Sequence, residues 1–221
     1  MKTALLFGAS GLVGGNLLST LLGHRAYGQV IAVVRRKLPL RHPQLTQLSG
    51  DIDTLPAQTD AQVAEDVFIA LGTTRKNSPD RRDYYRIEHD YPLLAALLAL
   101  EQGARSLSLV SAVGASVGSY AFYLRIKGET ERDIVAQRAA RTHLFRPCMI
   151  LGERQERRPL ERGLNRVWPR LDPVLRGRAK KYRAITAADI AAAMVAAAQL
   201  STDEVMIYTW QEMRRLALAT D

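Results

Sequence analysis

The sequence predicts an α/β protein built on a doubly wound parallel sheet, and three observations carry that expectation. Short apolar runs alternate with helical patterns through the first two thirds of the chain, a glycine-rich turn joins the first run to the first helix, and 221 residues suit a single domain.

Thr3 to Phe7, Val30 to Val34, Val67 to Leu71, Leu107 to Ser111 and His143 to Phe145 have the near-continuous apolar character of strands buried on both faces. A weaker strand falls near Leu45 to Leu48. Helical patterns cover Leu12 to Leu22, Tyr91 to Gln102 and Tyr123 to Gln137, and right-handed crossovers would place them on both faces of the sheet. Thr186-Ala187-Ala188-Asp189 has the form of a capping box with Asp in place of Glu, opening an Ala-rich helix that runs to Leu200. Glu204 to Tyr208 reads as a last strand and Gln211 to Ala219 as a closing helix. Residues 153–183, broken by Pro159, Pro169 and Pro173, read as a small excursion over the substrate side of one domain spanning 1–221.

Composition narrows the class. Apolar residues make up 47% and charged residues 24%, values of an ordinary globular domain, so a disordered, collagen-like or disulfide-dense chain is excluded. Cys148 is the only cysteine, has no internal partner for a disulfide, and reads as a buried thiol. Met1-Lys2-Thr3 and the apolar run after it are interrupted by Gly8, Gly11, Gly14 and Gly15 with no small-residue cleavage site. No apolar stretch reaches the roughly 18 residues that span a bilayer, so the expectation is a cytoplasmic, soluble protein that uses no membrane. His24, His42, His89 and His143 stand apart from other ligands, which predicts no metal.

The net charge is +9 and is local: residues 153–183 hold eleven Lys or Arg against four Asp or Glu. That segment reads as a solvated lid or surface, as a clamp for an anionic substrate, or as a docking surface for a protein partner. It lacks a helix-turn-helix, finger or aromatic RNA-binding pattern, so nucleic acid is not expected as a partner.

Gly8-Ala9-Ser10-Gly11-Leu12-Val13-Gly14 is a G-x-x-G-x-x-G turn between the first strand and the first helix. Such a turn lets the backbone of Gly8, Ser10, Gly11, Leu12, Val13 and Gly14 approach a pyrophosphate, and the helix start offers free N–H groups and partial positive charge. The fold expected is therefore of the Rossmann, dinucleotide-binding type. About twenty residues past Gly14, where an NAD site presents an acid to the ribose hydroxyls, the second strand ends in Arg35-Arg36-Lys37. Guanidinium groups at Arg35 and Arg36 suit a 2′-phosphate, which favours NADP(H); the alternative is a solvated basic strand end. Asp51 and Ile52 either bracket the adenine or form a plain turn, and Leu71-Gly72-Thr73 closes the fourth strand where the chain passes the ribose.

Tyr123-Leu124-Arg125-Ile126-Lys127 puts a phenol and an ammonium at i, i+4 on one helical face. A neighbouring ammonium stabilises phenolate and brings a tyrosine toward the range useful for proton transfer. Ser111 ends the preceding strand, twelve residues earlier, and can hold a substrate oxygen. Alone, the tyrosine and lysine read as an aromatic core contact with a snorkelling lysine; together with the glycine turn and the strand-end serine they read as an active site.

With these features the sequence resembles the atypical short-chain dehydrogenase/reductases, and within them the Tat-interactive-protein-like oxidoreductases. The residues that carry the resemblance are Gly8 to Gly14, Leu71-Gly72-Thr73-Thr74-Arg75, Asp90-Tyr91, Ser111, Tyr123 to Glu129, Phe145-Arg146-Pro147 and Arg154 to Pro159. The resemblance implies Ser111, Tyr123 and Lys127 as the catalytic set, with Tyr123 the proton donor and Lys127 also reaching the nicotinamide ribose. It further implies that Arg146 and Pro147 lie beside the nicotinamide ring. One departure is Glu88, which stands where many relatives have an asparagine that supports a proton relay.

Two functions follow. One is an NADPH-dependent reductase of a small carbonyl compound. The other is a non-catalytic NADP(H)-sensing regulator that presents a coenzyme-dependent surface to a protein partner.

Overall fold

A computed structural model describes residues 1–50, 64–152, 175–201 and 205–219 of the chain. Seven parallel strands form one sheet: β1 (Lys2–Phe7), β2 (Tyr27–Val34), β3 (Leu45–Ser49), β4 (Asp66–Ile69), β5 (Ser106–Val110), β6 (Arg141–Phe145) and β9 (Val205–Tyr208). Their order across the sheet is β3-β2-β1-β4-β5-β6-β9. Strand order reverses between β1 and β4, which pair in register from Ala4 with Asp66 to Phe7 with Ile69. A crevice at such a reversal, beyond the carboxyl ends of the strands, is where doubly wound sheets take their ligands.

Each face of the sheet has its own core, as the apolar strands require. On one side Ala4, Leu6, Phe68 and Phe145 pack against α1 (Leu12–Gly23), α5 (Ala187–Ala197) and Met213 of α6 (Trp210–Leu218). On the other, Val67, Ile69, Leu107, Leu109 and Leu144 meet α3 (Tyr91–Glu101) and Ile134 of α4 (Phe122–Ala136). Small side chains let α5 lie close to α1: Ala191, Ala193 and Ala197 are fully buried there. Phe68 and Phe145 are fully buried too, and each contributes on the order of 2 kcal/mol by leaving water.

The N-terminal strand ends, opposite the crevice, are fastened by a buried carboxylate. Asp66 accepts from Lys2 Nζ at 3.0 Å and from the Tyr27 hydroxyl at 2.9 Å, and Arg141 stands 3.7 Å from its other oxygen. Burial, with Asp66 alongside, pushes the Tyr27 phenol far above its ordinary range.

The expected strands and helices are present, with shorter carboxyl ends: β4 stops at Ile69 and β5 at Val110. Thr186 caps α5 by accepting from Asp189 N–H at 3.0 Å, as expected. Two features go beyond the sequence reading. A small parallel pair, β7 (Met149–Leu151) with β8 (Ala184–Thr186), flanks the crevice. A short helix α2 (Arg81–Tyr85) runs through a π-helical turn, Arg86–Asp90, into α3. Of the basic excursion, residues 153–174 lie outside the described residues; residues 177–182 form a 3₁₀ turn.

Candidate active site

The glycine turn is closed by backbone contacts that no side chain would permit. Gly8 has φ +89°, and a Cβ there would lie 2.5 Å from the Ala70 carbonyl oxygen; one on Gly14 would lie 2.0 Å from the Gly8 carbonyl oxygen. Helix α1 therefore starts flush against β1. Its N-cap, Gly11, supplies no side-chain cap, and the first turn carries no acid. The free N–H groups and positive end of the helix dipole are left without a counter-charge from the helix's own first turn, a cradle suited to a diphosphate. Ser10 and Gly11 are exposed at its rim, Leu12 is partly covered, and Val13 and Gly14 are buried beneath. Gly152 crosses above Leu12, for a Cβ there would come 2.7 Å from Leu12 Cδ1.

Arg35 and Arg36 are exposed immediately after β2, next to the end of β1, and neither pairs with a carboxylate among the described residues. Asp51 and Ile52 lie outside the described residues. Leu71, Gly72 and Thr73 follow β4 on the other side of the turn. They are bound to a residue whose contacts the sequence does not reveal: Thr73 N–H donates to Glu88 Oε1 at 2.6 Å, and a Cβ on Gly72 would meet that same oxygen at 3.3 Å.

Glu88 is buried, and its Oε2 stands 2.8 Å from Lys127 Nζ. The π-helical turn makes this possible. Its wide loop, closed by Tyr91 N–H donating to the Arg86 carbonyl, rotates successive side chains onto α4. Glu88 holds Lys127 with its carboxylate and accepts from Thr130 Oγ1 with its backbone carbonyl at 3.0 Å. His89 sets its two ring nitrogens against Asp90 at 2.7 Å and Asp133 at 2.9 Å. Lys127, Thr130 and Asp133 are thus gripped in succession along one edge of α4.

Lys127 also reaches the Val110 carbonyl at 3.5 Å, which places it at the end of β5 beside Ser111. Ser111 is buried, its N–H donates to the Phe145 carbonyl at 2.7 Å, and its Oγ has no partner among the described residues. Tyr123, one turn before Lys127, is 41% exposed. Desolvation by the packed surroundings is the largest influence on its phenol and raises it above the ordinary value; Lys127 opposes this and Glu88 adds to it. The net direction is upward because desolvation, with Glu88 added, outweighs Lys127. Burial works to lower Lys127, but Glu88 outweighs it and the ammonium is held above its usual range.

Tyr84 on α2 is a second phenol here that the sequence reading missed. It is buried against Phe122 with ring centroids 6.1 Å apart, and it is raised by desolvation, then by Glu88 and Tyr123. No periodic signal marks Arg81–Tyr85, too short for an amphipathic stripe. Pro147 is buried, and its carbonyl accepts from Val113 N–H at 2.9 Å. The Arg146 guanidinium is turned onto Glu131 of α4 in a two-pronged ion pair. The structure therefore sets Lys127, with Tyr123 one turn before it, at the end of β5 that leads into Ser111, and adds Glu88, Tyr84 and Glu131 as neighbours.

Among the described residues no cluster of three or more His, Cys, Asp or Glu fit to hold a metal occurs, and no helix is long and apolar enough to cross a membrane.

No family model matches the chain. Similar proteins are nevertheless plain. Protein FMP52, mitochondrial, of Eremothecium gossypii is 38% identical over 154 residues, 69% of this chain and 68% of that protein. Protein HTATIP2 of Rattus norvegicus is 35% identical over 164 residues, 72% of this chain and 67% of that protein. Among solved structures, MoeE5 in complex with UDP-glucose and NAD superposes with a TM-score of 0.69 at 17% identity, covering 98% of this chain and 81% of that one. UDP-glucose 4-epimerase of Thermotoga maritima gives 0.70 at 16% identity, covering 98% and 82%. These likenesses establish the Rossmann-type fold. The expectation of a cytoplasmic protein is corrected: the relatives from Eremothecium gossypii, Candida glabrata and Aspergillus clavatus are named mitochondrial. The expectation rested on finding no spanning stretch and no cleavage site, features that do not separate one aqueous compartment from another.

Proposed function

The chain belongs to the atypical short-chain dehydrogenase/reductase family of FMP52 and HTATIP2, and on that premise we propose that it reduces the carbonyl group of a small molecule with NADPH. The observation that carries this reading is the buried Ser111 hydroxyl just past the end of β5, without a partner among the described residues, next along the chain to the Val110 carbonyl that Lys127 of α4 reaches. A buried hydroxyl without a partner costs on the order of 1 to 3 kcal/mol, a cost recovered when a substrate oxygen arrives.

The glycine turn and the start of α1 fit the diphosphate of a dinucleotide, for the reasons its two closed glycines give. Arg35 and Arg36 hold a 2′-phosphate, and Leu71, Gly72 and Thr73 line the ribose side. When bound, the coenzyme supplies hydride. Ser111 Oγ then hydrogen-bonds the substrate oxygen and orients it. Tyr123, protonated at neutral pH, gives its proton to that oxygen as charge develops there. Lys127 is ion-paired with Glu88 and donates toward the Val110 carbonyl, and of the three N–H groups of its ammonium one serves a ribose hydroxyl. Arg146 and Pro147 close the floor of the site. An anionic substrate suits the basic segment that follows.

The test is NADPH oxidation across a panel of aldehydes and ketones, with Tyr123→Phe alongside. Turnover that falls at least a hundredfold in the variant, with coenzyme affinity nearly intact, is expected. Coenzyme binding without turnover of any compound overturns the reductase reading in favour of a coenzyme-sensing protein.

A further inference from the structure

Glu88 is a buried carboxylate with no role in the reading above, although it touches the lysine that the reading uses. Its Oε1 is fixed by Thr73 N–H at 2.6 Å and its Oε2 faces Lys127 Nζ at 2.8 Å. The side chain is held from two directions, by the loop after β4 and by α4, so it has no freedom to swing away. Its backbone carbonyl is taken by Thr130.

We propose that Glu88 is a positioning residue which, by countering the charge of Lys127, keeps a proton on the Tyr123–Lys127 pair and so fits the site to donate a proton to substrate. This rests on the function proposed above and adds to it the direction of proton flow. A tyrosine beside an unpaired ammonium holds its proton less tightly and more readily stands as phenolate, ready to act as a base. With Glu88 in place, the pocket made by Tyr123, Lys127 and Glu88 is neutral when the phenol is protonated, and losing that proton leaves a net negative charge in a crevice of low dielectric. Among the described residues, the other groups facing this pocket do not reverse the balance. Tyr84 of α2 faces Glu88 and Tyr123, Arg75 of the loop after β4 faces Tyr84, and Glu131 of α4, paired with Arg146, faces Lys127. The direction found for Tyr123, upward despite the nearby lysine, agrees with this.

Because Tyr123 and Lys127 are coupled, the quantity at stake is the first proton lost by the pair. It is read without turnover by carbon-13 NMR of protein labelled at tyrosine Cζ and lysine Cε, with Tyr123→Phe and Lys127→Met providing the assignments. Glu88→Gln keeps the shape and the bond from Thr73 but removes the charge. We expect the pair's first titration to fall by about one to three pH units, tenfold or more in proton affinity. The alkaline limb of NADPH-dependent reduction should fall with it. Glu88→Asp, which retains the charge but withdraws it by one methylene, should give a smaller shift in the same direction and serves if the first variant folds poorly. A titration unchanged in both variants, with only the melting temperature lowered, makes Glu88 a structural fastener and overturns the inference. A shifted titration in a protein that turns over no carbonyl compound supports the inference about charge and overturns the proposed reaction instead.

Discussion

Arg146, the first residue after β6, and Glu131 on α4 meet through two parallel hydrogen bonds, Nε to Oε1 at 2.8 Å and Nη2 to Oε2. The carboxylate is buried and the guanidinium largely so, with side-chain exposures of 6% and 24%. The pair ties the strand end below the candidate nicotinamide site to the helix that carries Tyr123 and Lys127.

Breaking that tie should be costly. Glu131→Gln leaves a mostly buried guanidinium without its counter-charge, and a loss of about 3 kcal/mol is expected. In a protein of this size that lowers the melting temperature by roughly 10 °C. Arg146→Lys should recover little, because an ammonium cannot reproduce the two-pronged geometry. A loss below about 1 kcal/mol in Glu131→Gln would show that the pair is only a surface contact.

Gly128, one residue beyond Lys127, has a different duty. A Cβ there would lie 2.2 Å from the Ser116 carbonyl carbon, which is backbone, so the loop from β5 to α4 rests directly on the helix. Gly128→Ala should displace residues 116–117 and destabilise by about 3 kcal/mol, read by chemical denaturation. Gly23→Ala is the control: nothing lies within 4 Å of its Cβ position. It should be neutral or slightly stabilising, since alanine suits a helix better. Equal effects from the two substitutions would be incompatible with the close approach at Gly128.

His143 should shape the acid side of the stability curve. It is fully buried, with Nδ1 3.0 Å from the Tyr208 hydroxyl and Nε2 unpartnered among the described residues. Burial, and then Arg141, push it down to about 4. The unfolded imidazole, near 6.5, binds more protons across the interval between those values. Stability is therefore full above about 6.5, falls as pH drops toward 4, and loses no more from this residue below that, a total of about 3 kcal/mol. His143→Gln should flatten the slope between pH 6.5 and 4 in urea titrations. A slope equal to that of the parent protein refutes the assignment.

Arg35 provides the test of coenzyme choice. In fluorescence titrations Arg35→Ala should weaken NADPH by roughly tenfold to a hundredfold, the worth of a charge-assisted contact, while changing NADH little. Equal affinity for the two coenzymes, unaffected by the substitution, would remove the 2′-phosphate from this strand end.

Much of the fold was legible because its signals are local. The strands at Val30–Val34 and Leu107–Val110 announce themselves by near-continuous apolar character, and the turn from Gly8 to Gly14 by glycines whose necessity the backbone contacts explain. Thr186 and Asp189 form the expected cap within four residues of each other. The π-helical turn was not legible. Arg86–Asp90 shows no period that separates it from an ordinary turn of helix, and its geometry is set by what Glu88 and His89 find on α4, some forty residues later. The pairing of β7 with β8 likewise joins segments more than thirty residues apart and too short to carry a pattern.

Taken alone, the order of residues determined the alternation of strand and helix, the glycine turn at the start of the first helix, and the placing of Tyr123 and Lys127 on one helical face, because each depends on neighbours within a turn or two of chain. Only the tertiary structure decided the charge state around that face. Whether Lys127 stands free or is matched by a carboxylate depends on which side chains are brought together out of water, and electrostatic balance in a buried crevice is a property of distance in space, to which separation along the chain is no guide.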